Sequence, residues 1–174
     1  MSTSSGLAYL LDSNVFIEAY RRYYAFRICP GFWDALIWHH SEGTWCSLDP
    51  VRDELLEGKD ELADWIGKQV RRDAFCSTNE ADVVRWYGQV VQWVHSRPQY
   101  TDEAKDQFAR DPDAWLIAYA KAKGLTLVTH EGNHPDSKSK VFIPNVCEAF
   151  DMHPIDSFAM LDRMSTRFVW RPPS

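Results

Sequence analysis

The chain lacks any apolar run approaching the ~18 residues that a membrane-spanning helix needs. Its opening, MSTSSGLAYLLD, has no basic segment leading into a long apolar core. The expectation is a soluble, cytoplasmic protein with no membrane partner. Positive charge is also scarce: 19 Lys and Arg stand against 25 Asp and Glu, for a net charge of −6. That excludes a generic basic nucleic-acid coat. It leaves room for an enzyme with an acidic cage, because a bound cation reverses the local field. The short basic clusters, Arg21-Arg22, Arg71-Arg72 and Lys138 with Lys140, read first as solvated surface charge. Cys29, Cys46, Cys76 and Cys147 show no CxxC pairing and no histidine at ligand spacing, which argues against a zinc site. Cys46 and Cys147 fall in apolar runs and read as buried free thiols. The histidines (His39, His40, His95, His130, His134 and His153) are scattered, and no serine sits in a nucleophile elbow. A Ser-His-Asp hydrolase therefore has no support. Internal repeats, low-complexity tracts and domain linkers are absent.

What is present is apolar material: 45% hydrophobic and 14% aromatic residues, including eight tryptophans. That is enough for one packed domain over residues 1–174. Continuous apolar runs at 7–11, 44–48, 125–129 and 141–143 predict strands covered on both faces. Between them, VFIEAYRRYY, the segment after Pro30, and residues 59–70 predict helices. Ser77-Thr78-Asn79-Glu80 carries a capping-box pattern ahead of Val83, Trp86, Tyr87, Val90 and Val94 at helical spacing. Asp49-Pro50 and Asp111-Pro112 are helix-start signals, and Gly43 and Gly124 are stops. Asn145 can cap a helix to Phe150, and residues 155–164 can add another. Residues 58–100 form a helical insertion and 165–174 a loose tail. Strands alternating with helices predict an α/β fold, a three-layer α/β/α sandwich around a parallel sheet.

Four acidic residues fall where predicted strands give way to helices or loops: Asp12, Glu54, Asp113 and Glu131. Taken singly, each has an ordinary reading: an N-cap, a solvated helix residue, a first-turn carboxylate and loop polarity. Taken together they share one edge of the sheet, where α/β folds form their ligand crevice. Unit charges about 4 Å apart interact by about 4 kcal/mol near a protein surface. A hard divalent cation, Mg²⁺ or Mn²⁺, removes that repulsion and favours all-oxygen ligands. Asp111 competes with Asp113, but residues two apart on a helix do not share a face, so Asp111 is expected to serve as the N-cap.

The pattern resembles the PIN domain family of metal-dependent nucleases. YLLDSNVFIE resembles that family's opening strand, with Asp12 as its acidic residue. PVRDELLEG resembles the second motif, carrying Glu54. DAWLIAYAKAKGLTLVTHE resembles the third and fourth motifs run together, carrying Asp113, Thr129 and Glu131. The resemblance implies a PIN-like sandwich and an endoribonuclease that hydrolyses RNA phosphodiesters with Mg²⁺ or Mn²⁺. It implies Asp12, Glu54 and Asp113 as metal ligands, with Glu131, a Glu where Asp is commoner, acting through water or a second ion. Asn14 and Thr129 would orient the cage. It further implies a toxin with an inhibitory antitoxin partner, and a homodimer. Phe16, Tyr20, Tyr23, Tyr24, Trp86, Tyr87 and Trp93 are the aromatic residues expected to supply the contact surface. Two rival readings are a non-catalytic PIN-like binding module and a haloacid-dehalogenase-type phosphatase. The latter needs Asp-x-Asp where this chain has Asp12-Ser13-Asn14.

Overall fold

The computed structural model describes residues 6–174. Four short strands form the sheet: β1 (Tyr9–Leu11), β2 (Trp45–Leu48), β3 (Phe75–Cys76) and β4 (Thr126–Val128). All pair in parallel, in the order β3-β2-β1-β4. Helices cover both faces, giving the three-layer α/β/α sandwich that the alternating pattern predicts. Every residue of β2 is buried, as a strand covered on both sides requires. β1 is central, and the chain leaves it first towards β2 and β3, later towards β4. The β1–β4 boundary is thus the topological switch point, where the strand ends open a crevice.

The helices are α1 (Ser13–Glu18), continued by a π-helical turn (Ala19–Tyr23), then α2 (Pro30–Ser41), α3 (Asp49–Glu57) and α4 (Glu61–Lys68). They are followed by α5 (Ala81–His95), α6 (Asp102–Arg110), α7 (Pro112–Lys123), α8 (Ile143–Ala149) and α9 (Ser157–Arg163). Aromatic side chains fill the core between α1, α2, α4 and the sheet. Trp33 stacks on Phe26 at 4.2 Å and meets Trp65 edge-on at 4.8 Å. The indole N–H groups of Trp33 and Trp45 donate to the carbonyls of Tyr24 and Leu36, so these rings bury no unpaired donor.

Several local expectations fail for identifiable reasons. Residues 141–143 form no strand: Val141 and Phe142 are irregular and Ile143 begins α8, with Pro144 in its first turn. The remaining sheet position belongs to β3, inside the 58–100 stretch read as wholly helical. Ser77 does not open a capping box. Its hydroxyl accepts from Asn79 N–H, and Glu80 occupies the N-cap position without a side-chain cap bond. Asn145 lies within α8, whose N-cap is Phe142. The aromatic residues of α5 are mostly packing material: Tyr87 stacks on Trp115 at 3.9 Å, and Trp86 and Trp93 meet Phe150. Phe16 is fully buried, whereas Tyr23 is exposed. No helix among the described residues is long and apolar enough to cross a membrane.

Two glycines test the backbone reading with opposite signs. Gly124 ends α7 at φ +67°, where a Cβ meets open space but the left-handed conformation is strained. Gly88 sits exposed in mid-α5, also with open space around it. Gly124→Ala should lose about 1–2 kcal/mol, and Gly88→Ala should gain about 0.5–1 kcal/mol. Urea unfolding midpoints at unchanged slope check both.

Candidate functional site

Asp12 follows the last residue of β1, and its backbone N–H donates to Val128 O at 3.0 Å. This bond fixes the carboxylate at the switch point, where it is 3% exposed. Thr129, the residue after β4, donates from its Oγ1 to Asp12 Oδ2 at 2.8 Å. Asn14 completes the brace. Its amide nitrogen donates to Thr129 Oγ1 at 3.1 Å, and its Oδ1 accepts from the backbone N–H of His130 at 2.9 Å. The buried Ser13 hydroxyl lies 3.4 Å from Asp12 Oδ1. Hydrogen bonds thus tie the end of β1 to the end of β4.

Asp12, Glu54, Asp113 and Glu131 all line one cleft of about 540 Å³, together with Asn14, Arg22, Tyr23, Asp111, His130 and Lys140. The four acids expected from the sequence are therefore brought together. Glu54 stands at the exposed rim, and Asp12 forms the floor. Asp111 joins them, contrary to expectation. It holds the N-cap position of α7 in extended backbone, so the helix-face rule does not apply to it. Its side chain makes no cap bond and instead accepts from Gln107 at 2.5 Å. Glu131 is fully engaged: Oε1 accepts from Lys140 Nζ at 2.6 Å and Oε2 from the N–H of Ile143 at 2.8 Å. It pins the 132–142 loop. The sequence signal for Lys140 was a short basic cluster that reads as solvated surface charge.

Burial raises the Asp12 carboxyl to about 6, opposed by the Thr129 bond and reinforced by Glu131 and Glu54. Burial also raises Asp113 to about 8, helped by the charges of Asp12, Glu131 and Asp111, against Lys140. Glu54 is pushed up by partial burial, opposed by the nearby Ser13 hydroxyl. Burial pulls the Lys140 ammonium down, but Glu131, Asp113 and Asp12 outweigh it and hold it above its ordinary value. The cleft is thus a set of carboxylates whose mutual repulsion one lysine relieves in part.

This donor set suits a hard divalent cation: all-oxygen, anionic and under-compensated. Among the described residues no three His, Cys, Asp or Glu side chains stand at metal-ligating spacing, so the acids share a cleft without closing a cage. Arg71 and Arg72, by contrast, pair with Asp73 and Asp49 on the surface, the bland role expected of them. Cys46 and Cys147 are buried free thiols, and burial raises Cys147 to about 12, leaving it unreactive.

The raised carboxyls have a consequence for stability. Asp12 and Asp113 hold their protons more tightly folded than unfolded, where the ordinary value is 3.8. Their contribution is most favourable below about pH 4 and falls as pH rises towards about 8. In metal-free buffer the thermal midpoint of the wild type should therefore drop between pH 5 and pH 8 relative to that of Asp113→Asn. Parallel pH curves for the two proteins would contradict the raised value at Asp113.

No curated protein matches the chain. A family model described as a domain of unknown function (DUF4411) matches residues 9–168, from the first residue of β1 to the tail beyond α9. That span contains the whole sheet and every acidic residue of the cleft, and the chain belongs to the DUF4411 family.

Proposed function

We propose that the protein is a Mg²⁺- or Mn²⁺-dependent endoribonuclease of PIN type, hydrolysing RNA phosphodiester bonds in the cleft at the β1–β4 boundary. The observation that carries the reading is the convergence of Asp12, Glu54, Asp113 and Glu131, from four separate segments, with Asp12 and Asp113 held protonated-prone by burial and by neighbouring carboxylates. A divalent ion, when bound, would polarise a phosphoryl oxygen and supply a water of lowered pKa. Asp12, Glu54 and Asp113 would hold it. Thr129 and Asn14 orient the Asp12 carboxylate, as partners outside the ligand shell commonly do. Glu131 keeps Lys140 at the cleft, where the ammonium faces the phosphate of an incoming strand. One feature favours a non-catalytic binding module instead: both Glu131 oxygens are already occupied. The same acidic cleft would accept a basic side chain of an inhibitory protein, the partner implied for a toxin. Homodimerisation belongs to this reading too, and exposed apolar residues such as Ile28 and Trp38 are available for it.

Mn²⁺ at about 100 times its Kd should raise the stability of the wild type by about 2.7 kcal/mol, through binding to the native state alone. Asp12→Asn should lose most of that gain. Asp12→Asn and Asp113→Asn should also lose Mn²⁺-dependent cleavage of single-stranded RNA. Glu131→Gln and Thr129→Val should show the ~10–100-fold loss typical of partners outside the ligand shell. Asp111→Asn should retain substantial cleavage. A wild type that leaves RNA intact throughout a Mn²⁺ and Mg²⁺ titration overturns the nuclease reading and favours the binding module.

A further inference from the structure

Tyr23, at the end of the π-helical turn, is 44% exposed, and Phe158, at the start of α9, is 42% exposed. A lone exposed ring needs no explanation, but these two touch. Their centroids lie 5.0 Å apart in an edge-on arrangement, and both pack against His130, at 5.7 and 5.4 Å. His130 is fixed from two sides: Nε2 meets Ser157 Oγ at 2.8 Å, and its backbone N–H is held by Asn14. Tyr23 and His130 both line the carboxylate cleft, so the three rings continue its rim. Arg22 lines the same cleft, mostly exposed, with its guanidinium 3.2 Å from Glu18.

Resting on the nuclease reading above, we infer that Tyr23, His130 and Phe158 form a stacking platform for one unpaired base of single-stranded RNA, next to the phosphate held in the cleft. An acidic cleft in a protein of net charge −6 gains little from the phosphate backbone. Stacking is attractive without charge, tolerates any base, and needs a ring face that duplex RNA keeps covered. Arg22, beside Tyr23 in the chain, is placed for the adjoining phosphate. The platform thus supplies both affinity and a preference for single strands. Contact with a second copy or another protein is the competing use of such rings. The shared rim with the carboxylates and the adjoining arginine favour RNA.

The test uses the full chain, a single-stranded oligoribonucleotide and Mn²⁺. It reads KM and kcat in the otherwise wild-type protein and anisotropy-derived Kd in an Asp113→Asn background. Tyr23→Ala and Phe158→Ala should raise KM and Kd about 5- to 100-fold with kcat little changed, while Tyr23→Phe should keep both. Trp170→Ala, which removes a ring 79% exposed on the tail, should change neither. An abasic nucleotide beside the scissile phosphate should reproduce the loss in the wild type and add nothing further in Tyr23→Ala. That substrate tests the platform even if Tyr23→Ala misfolds, and Tyr23→Leu keeps apolar bulk while removing the flat ring. If the wild type cleaves RNA but the variants and the abasic substrate keep KM and Kd within about twofold, the platform is overturned and the nuclease reading stands. If the variants change only the sedimentation mass of the free protein, the rings serve a protein contact and the inference is wrong. A wild type that neither binds nor cleaves RNA removes both, and is recognised by its own inactivity.

Discussion

Taking the Asp12 carboxylate out of water at the end of β1 is the constraint on which the rest of the site depends. The strand is central, so Asp12 cannot swing out to solvent without disturbing its neighbours: its own N–H is bonded to Val128, and β1 is paired on both sides. Parallel strands all end on one edge, so whatever stabilises that carboxylate must come from the segments following β1, β2 and β4 and from the start of α7. The chain supplies neutral hydrogen-bond donors there: Thr129 directly, Ser13 beside it, and Asn14 behind Thr129. These orient the carboxylate without neutralising it, and the neighbouring acids push its proton affinity up. A site built only for stability would place a lysine or arginine against Asp12. Here the lysine is spent on Glu131, several steps away. The arrangement breaks the rule that buried charge is paired, and such breaks concentrate at functional sites.

How much of this was legible in the sequence follows from the range of each signal. Asp12, Glu54, Asp113 and Glu131 could be placed on one edge because each sits at the junction of a strong apolar run or helix start with a polar break. Parallel topology then carries those junctions together. Asp111 escaped because the argument against it assumed a helical backbone, whereas its extended N-cap conformation frees its side chain to face the cleft. β3 escaped because two residues, Phe75 and Cys76, show no periodicity. The run 141–143 was the converse case. Three apolar residues suit a strand or a helix start equally, and the Glu131 bond to Ile143 N–H decides between them from twelve positions away in sequence. No local pattern contains that bond.

The aromatic residues illustrate the same limit. Phe16, Tyr20, Tyr23, Tyr24, Trp86, Tyr87 and Trp93 were more than one core obviously needs and were expected to supply a contact surface. Most of the aromatic surface goes into covering a narrow sheet: strands of two to four residues offer little area, and broad rings extend each helix's reach over it. Tyr87 on Trp115 joins α5 to α7, and Trp33 with Trp65 joins α2 to α4. Composition reveals that large rings are present, but it does not show which helix faces meet. The rings left open gather elsewhere, at Tyr23 and Phe158 beside the cleft and along the tail at Phe168 and Trp170.

If the proposed function holds, an acidic protein acts on a polyanion and meets a problem of encounter, which the distribution of charge bears on. Its acidic excess is not spread evenly: six carboxylates line the one cleft, answered there by Lys140 and Arg22. Without a metal, that local field repels phosphate. A divalent ion held by Asp12, Glu54 and Asp113, as proposed, would offset that field at the floor while the outer surface stays acidic. Affinity for RNA would then be conditional on the ion, and few phosphates would be contacted. Fewer neutralised phosphates mean a shallower dependence of binding on salt than a basic nucleic-acid protein shows. The shortfall has to be met by interactions that carry no net charge, and beside this cleft those are the faces of Tyr23, His130 and Phe158. In the proposed reading, metal site and aromatic ledge are therefore two halves of one solution: the carboxylates make the chemistry dependent on the cation, and the rings hold the strand that the carboxylates alone would repel.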